Sequence, residues 1–106
     1  MESPGTGAKL PRVTIERFYI PPNTDGNFKM VADLNFHGSD GEIVCVVKGF
    51  KLMTRDSGGF WLGVPQREKD GQWIDVFEFG SKSQAEEARA LCHATFETAK
   101  MKKDDF

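Results

Sequence analysis

Basic and aromatic side chains occur together from residue 48 to residue 69 and just beyond, a mixture suited to binding nucleic acid. Cationic side chains neutralise phosphates, and aromatic rings stack on bases. The basic residues are Lys48, Lys51, Arg55, Arg67 and Lys69, and the aromatic residues beside them are Phe60, Trp61 and Trp73. Asp56 and Glu68 lie among them, so a charged loop that simply faces solvent is the alternative interpretation.

The nucleophiles, carboxylates and histidines form no pattern that predicts catalysis. Cys92 and His93 are adjacent, and neighbouring helical side chains diverge by about 100°, too far for a nucleophile and its base. Asp75 and Glu78 fall on opposite faces of a strand. The chain contains no GxGxxG, HExxH or GxSxG motif. We therefore predict that the protein is not an enzyme and has no catalytic residue.

The cysteines and histidines do not predict a metal site either. Cys45 and Cys92 are the only cysteines, and neither belongs to a CxxC pattern. His37 and His93 are far apart in the sequence. We expect two buried thiols, Cys45 in a strand and Cys92 on the apolar face of a helix, with no metal and no cofactor.

Length and charge restrict the class of protein. A chain of 106 residues fits one domain with a core of its own. The formal net charge of -2 argues against strong non-specific attraction to DNA or anionic lipid, so a nucleic-acid site must be a local basic patch. The sequence shows no signal peptide and no apolar run of about 18 residues, so we expect a cytoplasmic protein without a membrane partner.

Turn residues divide the middle of the chain into five predicted strands. These are rich in β-branched and aromatic residues and cover residues 12–20, 27–36, 42–53, 60–64 and 73–79. Asp-Gly pairs at 25–26 and 70–71 supply the positive φ that tight turns need. Gly49 predicts a bulge or a bend in the third strand, and imperfect alternation in the first strand predicts either a bulge or burial on both faces. Residues 66–72 are predicted to form a charged connection.

A helix is predicted to close the domain. Small and apolar residues recur at spacings of three and four and form one stripe: Ala85, Ala88, Leu91, Cys92, Phe96 and Ala99. Ser83 followed by Glu86 predicts a capping box at the start. The predicted fold is an α+β domain over residues 12–101, in which an antiparallel sheet of about five strands packs on one C-terminal helix. Residues 1–11 are predicted to be a flexible tail and residues 102–106 a frayed C-terminus.

One helix covers only one face of such a sheet. Apolar side chains nevertheless occur on both faces of several strands, among them Val31, Val44, Trp61 and Trp73. A second copy of the chain would cover the other face, so we predict a homodimer. A sheet that curls and buries both faces within one chain is the alternative.

A series of short motifs follows a familiar order. Val13-Thr14 opens a strand, Asn23-Thr24-Asp25-Gly26 forms a turn and Phe28-Lys29 opens an alternating strand; residues 44–48 and Phe50 continue the series. Gly58-Gly59-Phe60-Trp61-Leu62 then leads to Pro65, and Asp70-Gly71, Asp75 and a helix rich in Glu and Ala follow. Over roughly residues 12–98 this order resembles the SpoVG (stage V sporulation protein G) family of bacterial septation regulators.

The resemblance implies a small homodimer that binds DNA, or in some members RNA, and acts in regulation. It also implies basic residues in the loop after the proline, which correspond to Arg67 and Lys69 here, with Glu68 where the family has a second base. With Lys51 and Arg55 of the basic segment, these are the predicted phosphate contacts. The alternative is a protein-interaction or structural module without nucleic-acid affinity, which Glu68 and the negative net charge favour.

Overall fold

A computed structural model describes residues 12–104 of the chain. Its elements are β1 (Val13–Tyr19), β2 (Phe28–His37), β3 (Ile43–Thr54), β4 (Phe60–Gly63), β5 (Gln66–Lys69), β6 (Gln72–Asp75) and α1 (Lys82–Asp104). Strands β1 to β4 form an antiparallel sheet in sequence order, and β5 and β6 form a separate two-stranded sheet. The predicted tail, residues 1–11, and residues 105–106 lie outside the described part.

The α+β class, the antiparallel sheet and the C-terminal helix are confirmed, but the arrangement of strands differs from the prediction. Asp70 and Gly71 both have positive φ, 53° and 80°, so they fold the chain back at once and pair residues 66–69 with residues 72–75. Residues 66–69, predicted to be part of a charged connection, therefore form strand β5. The fifth strand, predicted at residues 73–79, is wrong beyond Asp75: β6 ends there, and the residues that follow are not in a strand. The main sheet has four strands, with a separate hairpin.

The core lies between one face of the four-stranded sheet and α1. Its buried residues are Val13, Met30, Ala32, Leu34, Phe50 and Leu52 from the sheet and Ala88, Cys92 and Phe96 from the helix. The helix therefore buries the stripe that its spacing predicted. After β6, Phe77 and Phe79 turn into this core, where their rings pack against Phe36 and Phe50.

Two bulges keep apolar side chains on the core face, and at both places a bulge was one of the two predicted alternatives. In β1 the register shifts at Glu16, so Phe18, which pairs with Ala32, returns to the face of Ile15. In β3 the residues Lys48 and Gly49 stand opposite Asp33 alone. Gly49 has φ +94°, and its N–H donates to Asp33 Oδ1 at 3.1 Å.

The first part of β3 is not buried as predicted. Cys45 is exposed, and so are its strand neighbours Val44 and Val46. The helix and the Phe77–Phe79 segment cover β3 only from about Val47 onward. The prediction of a buried thiol at Cys45 is therefore wrong.

The helix begins with a different cap from the predicted one. Ser81 Oγ accepts a hydrogen bond from the Gln84 N–H at 3.1 Å, and Gln84 Oε1 accepts from the Gly80 N–H at 3.1 Å. Ser83 lies inside the first turn, and Glu86 binds Arg89 instead of reaching back. The helix continues to Asp104. Within residues 12–104, no helix has the length and apolar character needed to cross a membrane.

Candidate nucleic-acid interface

The hairpin of β5 and β6 separates its charges by face. Arg67 pairs with Ile74 and Lys69 with Gln72, so both cations project from one face because side chains alternate along a strand. Glu68 pairs with Trp73 on the opposite face. Asp75 also lies there, where its Oδ1 accepts a hydrogen bond from Gln66 at 2.6 Å. The face that carries Arg67 and Lys69 therefore has no carboxylate from either strand.

The hairpin makes few contacts with the rest of the described chain. Within residues 12–104, β5 and β6 pack mainly against each other, and all eight of their residues are exposed. Trp73 is 66% exposed, far more than an indole that serves as core packing. The hairpin is therefore an accessible β-ribbon with one cationic face.

The other two predicted contacts lie outside the hairpin: Lys51 belongs to β3, and Arg55 directly follows the end of β3. Lys51 pairs with Val31 and Gly63, on the face opposite α1, here called the open face. The Arg55 guanidinium lies over the Trp61 ring, 5.8 Å from its centroid. The structure thus divides the four predicted cations into two pairs, Arg67 and Lys69 on the hairpin and Lys51 and Arg55 at the end of β3.

The open face carries exposed apolar side chains that nothing in the described part covers. The register places Phe28, Met53 and Trp61 in one row across the strands. The adjoining row contains Tyr19 and Val31 beside Lys51. Helix α1 and the Phe77–Phe79 segment pack on the other face. Tyr19 is 59% exposed and Val46 42%, so this face is available to a partner.

A polar cluster crosses the open face farther along the strands. His37 Nδ1 lies 2.9 Å from the Gly41 carbonyl oxygen, and this acceptor requires the proton on Nδ1. The Thr14 hydroxyl lies 2.7 Å from His37 Nε2, and Asn35 Nδ2 donates to Thr14 Oγ1 at 3.3 Å. Asn35 is buried, and within residues 12–104 its Oδ1 has no hydrogen-bond partner.

A groove follows the unpaired edge of β4 and the first turns of α1. Its volume is about 360 Å³, and its lining includes Arg55, Phe60, Trp61, Lys82, Glu86 and Arg89. Glu86 holds Arg89 with both carboxylate oxygens. This hydrogen bonding lowers the pKa of Glu86 and raises that of Arg89. Lys82 and Arg89 were not among the predicted contacts, although residues 82, 86 and 89 have the spacing of one helix face.

Cys92 and His93 do not converge. Cys92 is buried in the core, and burial raises the pKa of its thiol to about 11, so it is a poor nucleophile at neutral pH. The His93 ring stacks on Phe60 with centroids 3.8 Å apart. Across residues 12–104, no three His, Cys, Asp or Glu side chains are grouped closely enough to hold a metal ion.

Comparison of the chain with protein-family models gave no match, and comparison with curated proteins and with solved structures gave none either. The resemblance to the SpoVG family therefore stays a prediction that depends on the order of the motifs.

Proposed function

We propose that this protein is a homodimeric nucleic-acid-binding regulator whose β5–β6 hairpin contacts the phosphates of DNA or RNA. The observation that carries the proposal is the common face of Arg67 and Lys69 on an exposed ribbon. A two-stranded β-ribbon fits the major groove of B-DNA, which is about 12 Å wide. Since Glu68 projects from the opposite face, it does not neutralise the cations that would meet the phosphates.

A dimer strengthens this proposal because one hairpin offers few charges. Two hairpins provide two copies of Arg67 and Lys69, and a symmetric pair matches the two strands of a duplex. The open face is the surface we assign to the dimer contact, since its apolar side chains are uncovered in the single chain. A dimer of this kind buries Lys51, which then cannot contact phosphate.

The test is a salt titration of binding to duplex DNA, for the wild type and for the double variant Arg67→Ala with Lys69→Ala. We expect wild-type binding to weaken steeply with salt because binding to phosphates releases counterions. The double variant should bind more weakly to every sequence. Its salt slope should be smaller by about one unit for each phosphate that the variant no longer neutralises.

The matched control is Lys100→Ala with Lys102→Ala, which removes the same charge from the far end of α1. Helix α1 has 23 residues, is roughly 35 Å long at about 1.5 Å per residue and makes few contacts with β5 or β6. The control should keep the wild-type slope. Equal slopes for the wild type and the hairpin variant would refute the role of the hairpin. No wild-type binding at low salt would refute the proposed function.

A protein-interaction module is the second candidate, and the exposed apolar open face favours it. The net charge of -2 also weakens any contribution of long-range attraction to nucleic acid. This candidate predicts no binding to duplex or single-stranded DNA even at low salt, and the first predicts binding to at least one of them. The same titration therefore separates the two.

A further inference from the structure

The β5–β6 hairpin has a second face that the proposed phosphate contacts do not use. This face, here called the Trp73 face, carries Gln66, Glu68, Trp73 and Asp75, because these residues alternate with the cationic ones along each strand. Trp73 is 66% exposed there. Contact between phosphates and the opposite face would leave the indole in water, so the proposed function does not by itself explain it.

The hairpin lacks the packing that a two-stranded ribbon needs. Such a ribbon is marginally stable in water unless it packs against a further strand or a helix. Within residues 12–104, β5 and β6 pack mainly against each other, and all eight of their residues are exposed. Burial of the Trp73 indole would supply a large apolar contact. We therefore expect the hairpin to be supported by another molecule.

The charges of the Trp73 face and of the open face are complementary. Asp75 already accepts a hydrogen bond inside the hairpin, which leaves Glu68 to meet a partner. Lys51 is the matching cation on the open face, and within residues 12–104 neither Glu68 nor Lys51 has an oppositely charged group within ion-pairing distance. Arg17 and Asp33, in the next row of the open face, already pair with each other at 3.2 Å.

The spacing of the two surfaces also matches. Glu68 and Trp73 are cross-strand partners in the hairpin, and Lys51 and Val31 are cross-strand partners on the open face. Directly opposed residues have Cβ atoms about 4.5–5.5 Å apart in either case. The indole can therefore lie over Val31 and its neighbour Tyr19 while the glutamate meets the lysine.

We infer that the Trp73 face of each hairpin packs on the open face of a second copy of this chain, with Trp73 against Val31 and Glu68 paired with Lys51. The inference rests on the dimer of the proposed function and names the element that covers its open face. A symmetric dimer contains this contact twice. Because side chains alternate along the strands, the contact leaves the cationic face of each hairpin free for phosphate.

The first test reverses the charges of Glu68 and Lys51. Glu68→Lys alone brings two cations together and Lys51→Glu alone brings two carboxylates together, so each should raise the dimer dissociation constant by about tenfold or more. The double variant restores an opposite pair and should dimerise within roughly threefold of the wild type. Sedimentation equilibrium measures the constants, and circular dichroism checks the fold. A double variant as weak as the single variants would overturn the inference.

The second test compares Trp73 with Ile74, its neighbour on the opposite face of β6. Trp73→Ala should weaken the dimer roughly tenfold or more, because buried aromatic anchors carry much of the binding energy of an interface. Ile74 is 42% exposed on the cationic face, so Ile74→Ala should change the dissociation constant less than about threefold. Arg67→Ala with Lys69→Ala should leave dimerisation unchanged as well. Equal effects of Trp73→Ala and Ile74→Ala would contradict the inference.

The outcomes separate the inference from the proposed function on which it rests. A wild-type protein that is monomeric at high concentration would overturn the inference together with the proposed dimer. A wild-type dimer that neither Trp73→Ala nor Glu68→Lys weakens would overturn the inference alone and would assign the open face to a different contact. A dimer that both variants weaken, but that binds no nucleic acid at low salt, would support the inference and refute the proposed function.

Discussion

Along a strand, neighbouring side chains project to opposite faces, and this decides what Glu68 does beside Arg67 and Lys69. In the sequence the glutamate interrupts a basic run and argues against phosphate binding. In the hairpin it faces Trp73, away from both cations. The same alternation explains why Lys51 lies in a row with Val31 on the open face. A residue's role therefore depends on register as well as on type.

The burial of Cys92 predicts a pH dependence of stability. Burial raises the pKa of its thiol from 9.0 to about 11. Between these values the unfolded chain loses the proton while the folded chain keeps it, so ionisation favours unfolding and stability falls as pH rises. A difference of about two units corresponds to roughly 3 kcal/mol by pH 11. Chemical denaturation of the wild type at pH 8 to 11, in steps of about one unit, measures this loss.

Cys92→Ala is the control for that titration. It should be less stable than the wild type at neutral pH, because the buried site is left with a cavity. Its stability should fall less between pH 9 and 11, where other groups titrate equally in both proteins. Parallel stability curves for the two proteins would contradict the prediction.

At the scale of elements, the start of α1 depends on Ser81 and not on Ser83. Ser81 Oγ accepts the Gln84 N–H, one of the donors that a helix start leaves unpaired. We expect Ser81→Ala to lower the free energy of unfolding by about 1 kcal/mol. Ser83→Ala, inside the first turn, should cost much less, since alanine has high helix propensity. Denaturation of both variants is the measurement, and the reverse order would restore the predicted Ser83 cap.

The β3 bulge depends on the backbone of Gly49. Its φ of +94° lies in a region that side chains disfavour, although an added Cβ would meet only Pro65 at 4.0 Å. We therefore expect Gly49→Ala to lower the free energy of unfolding by about 1–2 kcal/mol through backbone strain and not through crowding. Gly26→Ala is the control, because φ is not positive there and no atom lies within 4 Å. Chemical denaturation compares the two, and equal effects would contradict this explanation.

At the scale of the whole molecule, the uncovered face of the sheet is the main feature that the single chain does not account for. A single helix leaves Tyr19 and Val46 exposed on the open face, and the β5–β6 hairpin does not fold back over it. The predicted alternative, a sheet that buries both faces within one chain, does not hold for residues 12–104. A second copy on this face is part of the proposed function.

The dimer proposal predicts that Val46→Lys gives a monomer. Val46 is 42% exposed in the single chain, so lysine there should leave the fold intact while placing a charge in the proposed interface. Sedimentation equilibrium measures the change in mass, and circular dichroism checks the fold. Met101→Lys is the control, since Met101 is exposed on α1. A wild-type protein that is monomeric at high concentration would contradict the proposal, as would a dimer unaffected by Val46→Lys.

The sequence by itself determined the features that depend on local chemistry. The order of strands and helix, the stripe of Ala88, Cys92 and Phe96 and the bulge at Gly49 all follow from side-chain periodicity and backbone preference, which act over a few residues. Because these preferences act only over a few residues, they predicted the wrong structure at residues 66–79. There the choice between loop, hairpin and core segment depends on which distant strand is available to pair.

Only the tertiary structure decided which side chains share a surface. It separated Arg67 and Lys69 from Lys51 and Arg55, turned Glu68 away from its basic neighbours and left Cys45 exposed. It also brought Lys82 of α1 beside Trp61 of β4. These relations join residues far apart in the chain, and they depend on strand register and on where the helix packs. The spacing of residues along a few positions of the sequence does not determine strand register or the place where the helix packs.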